Sequence, residues 1–136
     1  MIATRLLQPR WSNRAFPRNH ADLNPHSQVV TLLDLDRAIG GAALRIKGQS
    51  ADFGYVLGRQ YRGRGLGTEV ASAIVSLALS VPGISRVWAT CDAANLGSAR
   101  VLEKSGLVLE GVLRSFSVRP NISELARDAL IYSRVR

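Results

Sequence analysis

The chain has 136 residues, 46% of them apolar, a formal net charge of +8, one cysteine and two histidines. That length suits one domain with a buried core and is short for two, and no apolar run approaches a membrane span. Cys91 alone excludes an internal disulfide, and Cys91, His20 and His26 lack zinc-ligand spacing. The opening "MIATRLLQPRWSN" has neither a signal-peptide apolar core nor a cleavage pattern. A cytoplasmic protein without metal or membrane contact is expected.

Residues 1–27 hold three prolines, both histidines and no sustained period of 2 or 3.6, which predicts an irregular arm. "QVVTLLDL" and "AIGGAALRI" are strand-like runs around an Asp-Arg turn, and "ADFGYVLG" follows as a third, giving an antiparallel meander that ends at Gly58. After a glycine-rich loop, Val70, Ala73, Ile74, Leu77, Ala78 and Val81 form one face of a helix that Pro82 and Gly83 stop. "SRVWATCD" is a strand, and "NLGSARVLEKSG" is a short helix with Asn95 at its N-cap and Gly106 at its C-terminal end. "LVLEGVLRSFSV", a "RPNIS" turn and "DALIYSRVR" close the chain as two further strands. The fold class is α/β, in the order β-β-β-α-β-α-β-β, with residues 28–136 as a single domain behind the arm.

The loop "GRQYRGRGLGTEV", residues 58–70, contains four glycines and three arginines. A glycine-rich turn opening into a helix presents backbone N–H groups at the positive end of the helix dipole, which makes an anion site. Glycine lets the backbone approach a phosphate and take positive φ. Arg59, Arg62 and Arg64 add attraction, and the net charge concentrates anions generally. Other arginines, among them those at 5, 10, 14 and 18 and near the C-terminus, are dispersed, unlike a nucleic-acid tail. A mononucleotide P-loop is not matched, because Gly63 is followed by Arg64 and Gly65 where lysine and a hydroxyl belong. A dinucleotide fingerprint starting at Gly63 meets Thr68 where a third small residue belongs, and the preceding strand belongs to a meander.

Residues 62–67, Arg-Gly-Arg-Gly-Leu-Gly, match the Arg/Gln-x-x-Gly-x-Gly/Ala pattern of the GNAT superfamily of acetyl-coenzyme A dependent N-acetyltransferases. In context, "FGYVLGRQYRGRGLGTE" and "NLGSARVLEKSGLVLEGVLR" resemble the two signatures of the branch that includes ribosomal-protein N-terminal acetyltransferases, and the resemblance spans about residues 28–136. It implies a mixed, mainly antiparallel sheet flanked by helices. The implied activity is acetyl transfer from acetyl-CoA to an amine, on a protein N-terminus or a small molecule, by direct attack through a tetrahedral intermediate.

The same resemblance implies roles for individual residues. The amides of Arg62, Gly63, Arg64, Gly65, Leu66, Gly67 and Thr68 would cradle the pyrophosphate, and the backbone of Tyr55, Val56 and Leu57 would pair with the pantetheine arm. An amide near Val56 would polarise the thioester carbonyl. Asn95 would hold pantetheine or acceptor, and Ser98 would protonate the leaving thiolate, with Tyr132 as the other candidate donor. Plainer readings stand beside these: Asn95 as an N-cap worth about 1 kcal/mol, Ser98 as a small first-turn residue, Tyr132 as a packed strand aromatic. For the general base, Glu110 lies on the strand where several relatives carry a glutamate but also fits a structural carboxylate. "RSFSVRPN" holds none, so water could take the proton while proximity supplies most of the rate.

The departure from the family pattern is N-terminal. Relatives usually begin with a strand and two helices that wall the acceptor site, and here only the arm precedes Gln28. The arm forms a reduced wall, a second subunit in a homodimer completes the site, or acetyl transfer has been lost. The alternatives to an enzyme are a coenzyme A-binding module without turnover and a basic RNA- or ribosome-binding domain, whose binding would be salt-sensitive.

Overall fold

The computed structural model describes residues 27–34, 37–63, 65–119 and 123–136, with only the backbone for 27–39, 61 and 119. The expected arm therefore lies outside the described residues apart from Ser27, as do Arg64 and the centre of the 119–123 turn.

The elements follow the expected order: β1 (Ser27–Asp34), β2 (Arg37–Lys47), β3 (Ser50–Leu57), a 3-10 turn (Arg59–Tyr61), α1 (Leu66–Ser80), β4 (Arg86–Asp92), α2 (Leu96–Lys104), β5 (Val108–Arg119) and β6 (Ser123–Val135). They build one six-stranded sheet ordered β1-β2-β3-β4-β6-β5. Every neighbouring pair is antiparallel except β3–β4, which is parallel because α1 provides the crossover between them. That parallel pairing is short, joining Ser50, Ala51 and Asp52 to Arg86, Val87 and Trp88 before the ladder ends.

Strand alternation decides which face receives the helices. Ala51, Phe53 and Leu57 of β3, Val87, Ala89 and Cys91 of β4, and Tyr132 of β6 are buried in one cluster with Val70, Ile74 and Val75 of α1 and Ala99 and Leu102 of α2. The intervening residues Asp52, Gly54 and Val56, and Trp88 and Thr90, point to the other face.

Two details differ from the sequence expectations. The buried side of α1 is Leu66, Val70, Ala71, Ile74, Val75 and Ala78, while Leu77 is 41% exposed. Both flanks of the 70–74–78 stripe are apolar, so only the position of the sheet and α2 decides which flank is covered. β6 starts at Ser123, ahead of the expected Asp128. Its first residues, "SELAR", pair with β5 beyond the core, where no buried face imposes a hydrophobic period.

One glycine holds β2 tightly against β3. A Cβ on Gly40 would lie 2.0 Å from the backbone oxygen of Val56, and a backbone atom cannot rotate away. Gly40→Ala is expected to destabilise the protein by about 1–3 kcal/mol, as overpacking does. Thermal denaturation checks this, and an unchanged Tm would show that β3 yields without cost.

Candidate active site

Beyond Asp52 and Trp88 the strands β3 and β4 part, and a cleft of about 1440 Å³ opens between them. It is bounded on the helix face by the loop before α1 and by α2, and it reaches through to the opposite face at Asp52, Val56, Trp88 and Thr90. An elongated ligand suits such a groove better than a compact one.

The glycine loop closes one end. Gly63 and Gly65 have φ of 75° and 76°, in the left-handed region that side chains disfavour. Gly65 is the N-cap of α1 and has no side chain with which to cap it, so the first-turn amides face outward without a side-chain partner. Gly67 serves packing: a Cβ there would stand 3.3 Å from the Tyr55 hydroxyl and 3.4 Å from Val101 Cγ2. Arg62 Nε donates to the Leu57 carbonyl oxygen at 3.2 Å, tying the loop back to the end of β3.

Of the residues expected from the sequence, Tyr55, Val56, Leu57, Arg62, Gly63, Gly65, Gly67, Thr68, Asn95 and Ser98 line this cleft. Leu66 does not line it, since its side chain anchors α1 in the core and only its backbone belongs to the loop. Arg64 lies outside the described residues. Tyr55 is half-buried, and burial together with the nearby Cys91 raises its hydroxyl pKa above the usual phenol value. Asn95 caps α2, its Oδ1 accepting the Ser98 amide at 3.1 Å, which leaves its amide nitrogen to donate elsewhere.

Tyr132 is placed away from the cleft lining, 2% exposed, and its hydroxyl donates to Glu103 Oε1 at 2.9 Å. Burial first, and then the bond to Glu103, push its pKa up to about 12. Glu110 also stands outside the lining. Arg86 grips both of its carboxylate oxygens and holds its pKa below the usual range.

Several cleft residues were not singled out in the sequence. The lining carboxylates among the described residues are Asp52 and Asp92. Asp92, 4% exposed, is engaged by Arg127 through Nε at 2.6 Å and Nη2 at 3.1 Å and by the Ala94 amide at 2.9 Å, which fastens the turn between β4 and α2. Asp52 receives Arg45 Nε and Nη2, at 3.0 and 2.5 Å, on Oδ2 alone, and its side chain is 17% exposed. Its placement opposite the buried Phe53 was a parity signal available in "ADFGYV". Phe116 reaches the cleft from β5 beside Ser115, which has φ of 48° and donates its amide to Asp128 Oδ1 at 2.9 Å. Nothing local in "RSFSV" announces that kink, because it depends on the facing strand. Among the described residues no group of three or more His, Cys, Asp or Glu is arranged to hold a metal, and no helix is long and apolar enough to cross a membrane.

The acetyltransferase (GNAT) domain model matches residues 4–108. A probable N-acetyltransferase of Bacillus subtilis, YjcK, is 38% identical over 101 residues, covering 71% of this chain and 55% of that protein. The chain spans about half the length of the curated relatives it matches, 55% of YjcK and 47% of the uncharacterised N-acetyltransferase YoaA of the same organism. Among solved structures, the ribosomal L7/L12 α-N-protein acetyltransferase RimL in complex with coenzyme A superposes with a TM-score of 0.74 at 18% identity, over 82% of this chain and 63% of that one. The microcin C7 self-immunity acetyltransferase MccE in complex with acetyl-CoA and AMP gives 0.74 at 23% identity, over 82% and 62%. These two likenesses establish the shared fold, and the family match over residues 4–108 shows that the chain belongs to the acetyltransferase (GNAT) family.

Proposed function

We propose that this protein transfers the acetyl group of acetyl-CoA to an amine, on a protein N-terminus or a small molecule, by direct attack within the cleft between β3 and β4. The observation that carries this reading is the end of the β3–β4 ladder at Asp52, directly upstream of the uncapped glycine loop. A strand edge without its neighbour, leading to a cluster of outward amides, suits a ligand with a peptide-like arm and a pyrophosphate head. The donors offered by the described residues 65–68 are backbone amides at a helix N-terminus, the chemistry that a pyrophosphate requires.

Acetyl-CoA supplies an activated thioester, and the chain's own residues do the rest. The loop amides hold the head, and the backbone of Tyr55, Val56 and Leu57 guides the arm. An amide near Val56 stabilises negative charge developing on the thioester oxygen. Asn95 offers its side-chain amide to the arm or the acceptor while its oxygen caps α2. Ser98, three residues after Asn95 in the first turn of α2, donates a proton to the departing sulfur.

Asp52 receives the acceptor's ammonium. Asp92 is already saturated by Arg127 and Ala94, and Glu110 is held by Arg86 outside the cleft. Asp52 keeps Oδ1 to accept a proton while Arg45 fixes Oδ2. The proton passes from the ammonium to this carboxylate and on to water, which frees the nitrogen lone pair for attack.

Thiol release from acetyl-CoA, followed spectrophotometrically over a panel of peptide and small amines, tests the activity. Coenzyme binding without turnover on any acceptor would favour a module that has lost catalysis. Two variants separate the candidate acids. Ser98→Ala should slow turnover by about 10²-fold with little change in acetyl-CoA affinity. Tyr132→Phe should keep kcat and cost about 1 kcal/mol of stability by removing a buried hydrogen bond. The opposite pattern would assign the acid role to Tyr132.

A further inference from the structure

α2 carries two basic side chains, Arg100 and Lys104, that the acetyl transfer itself does not use. Arg100 and Lys104 stand one turn apart on the same helix face, both exposed and both lining the cleft. Like charges at this spacing repel, and neither makes an ion pair with a carboxylate among the described residues. Glu103 beside them is taken by Tyr132.

Their position relative to the glycine loop is set by packing. Val101 Cγ2 lies 3.4 Å from where a Gly67 Cβ would be. Ser105 Oγ lies 3.5 Å from the Thr68 backbone oxygen and donates to the Val101 carbonyl at 2.7 Å. Val101 and Ser105, neighbours of Arg100 and Lys104 in sequence, therefore pack against the first turn of α1, and both cations line the same cleft as Gly63, Gly65 and Thr68. Arg62, the loop's own described cation in the lining, is partly spent on the Leu57 carbonyl.

Coenzyme A carries a third phosphate, a monoester on the adenosine ribose separated from the pyrophosphate by that sugar alone. It bears close to two negative charges at neutral pH, and it needs cations beside the pyrophosphate site rather than further amides. We infer that Arg100 and Lys104 bind the 3′-phosphate and make the site selective for coenzyme A over its 3′-dephospho form. This rests on the coenzyme reading of the cleft.

Calorimetric titration of the full chain with coenzyme A and with dephospho-coenzyme A tests it. The wild type should prefer coenzyme A by about tenfold or more, a range that allows for solvent screening of exposed charges. Combining Arg100→Gln with Lys104→Gln should abolish that preference by weakening coenzyme A binding to about the level of dephospho-coenzyme A, whose residual binding also verifies that the variant is folded. The preference should shrink as salt is raised. Equal wild-type affinity for the two ligands, or a preference that survives in the double variant, overturns the inference and leaves the coenzyme site standing. Failure of both ligands to bind would overturn the coenzyme site and this inference with it.

Discussion

Gly65→Asp should eliminate the thermal stabilisation that acetyl-CoA confers on the wild-type protein. At saturating ligand, about a hundred times Kd, binding contributes about 2.7 kcal/mol to stability, so its loss is readily measured. The substitution places a carboxylate at the N-cap of α1, where the proposed pyrophosphate would meet the loop amides. The left-handed backbone at Gly65, φ of 76°, costs a non-glycine residue about 1–2 kcal/mol. A negative charge at a helix N-terminus returns about 0.3–1 kcal/mol of that. The unliganded protein should therefore melt only slightly lower while its response to acetyl-CoA disappears. Gly65→Ala serves as the control, because it carries the conformational cost without the charge and should retain part of the response. If Gly65→Asp is stabilised by acetyl-CoA as strongly as the wild type, the phosphate site lies elsewhere.

Asp52→Asn should lower kcat/KM for the amine by about 10²-fold at neutral pH, the lower end of what a positioned general base contributes. The amide keeps the shape of the side chain and an oxygen for Arg45, so the geometry at the fork of β3 and β4 is preserved. What the substitution removes is the negative charge proposed to attract an ammonium and accept its proton. Raising the pH supplies more free amine, so the deficit should narrow towards alkaline conditions. Acetyl-CoA affinity should stay at the wild-type value, because the loop amides are untouched. A wild-type rate at neutral pH would mean that water removes the proton unaided, while a parallel fall in coenzyme affinity would mean that Asp52 holds the fork together instead.

Much of the molecule was legible in consecutive residues. The order of strands and helices, the uncapped glycine loop, Asn95 as a cap and Pro82-Gly83 as a stop are properties of short segments, whose φ/ψ preferences and hydrogen bonds act within a few residues. The expectation for α1 was right about its existence and partly wrong about its buried side. Val75 and Leu77 are both apolar, and the periodicity cannot say which of them meets a neighbour. Two candidates offered by the sequence for proton transfer met the same limit. Tyr132 and Glu110 occupy reasonable strand positions, but Tyr132 turns into the core against Glu103 and Glu110 pairs with Arg86.

By itself the sequence determined the family pattern and the loop suited to phosphates, because the amides concerned are neighbours along the chain. Only the tertiary structure decided the rest of the site. The cleft exists because β3 and β4, linked through α1, stop pairing after three residues. Asp52, Asp92, Arg100, Lys104 and Phe116 come from four different elements that meet around that gap. Side-chain chemistry is written locally, but which chemistries share a cavity depends on the point where two distant strands part, a balance of long-range packing that no short window of sequence contains.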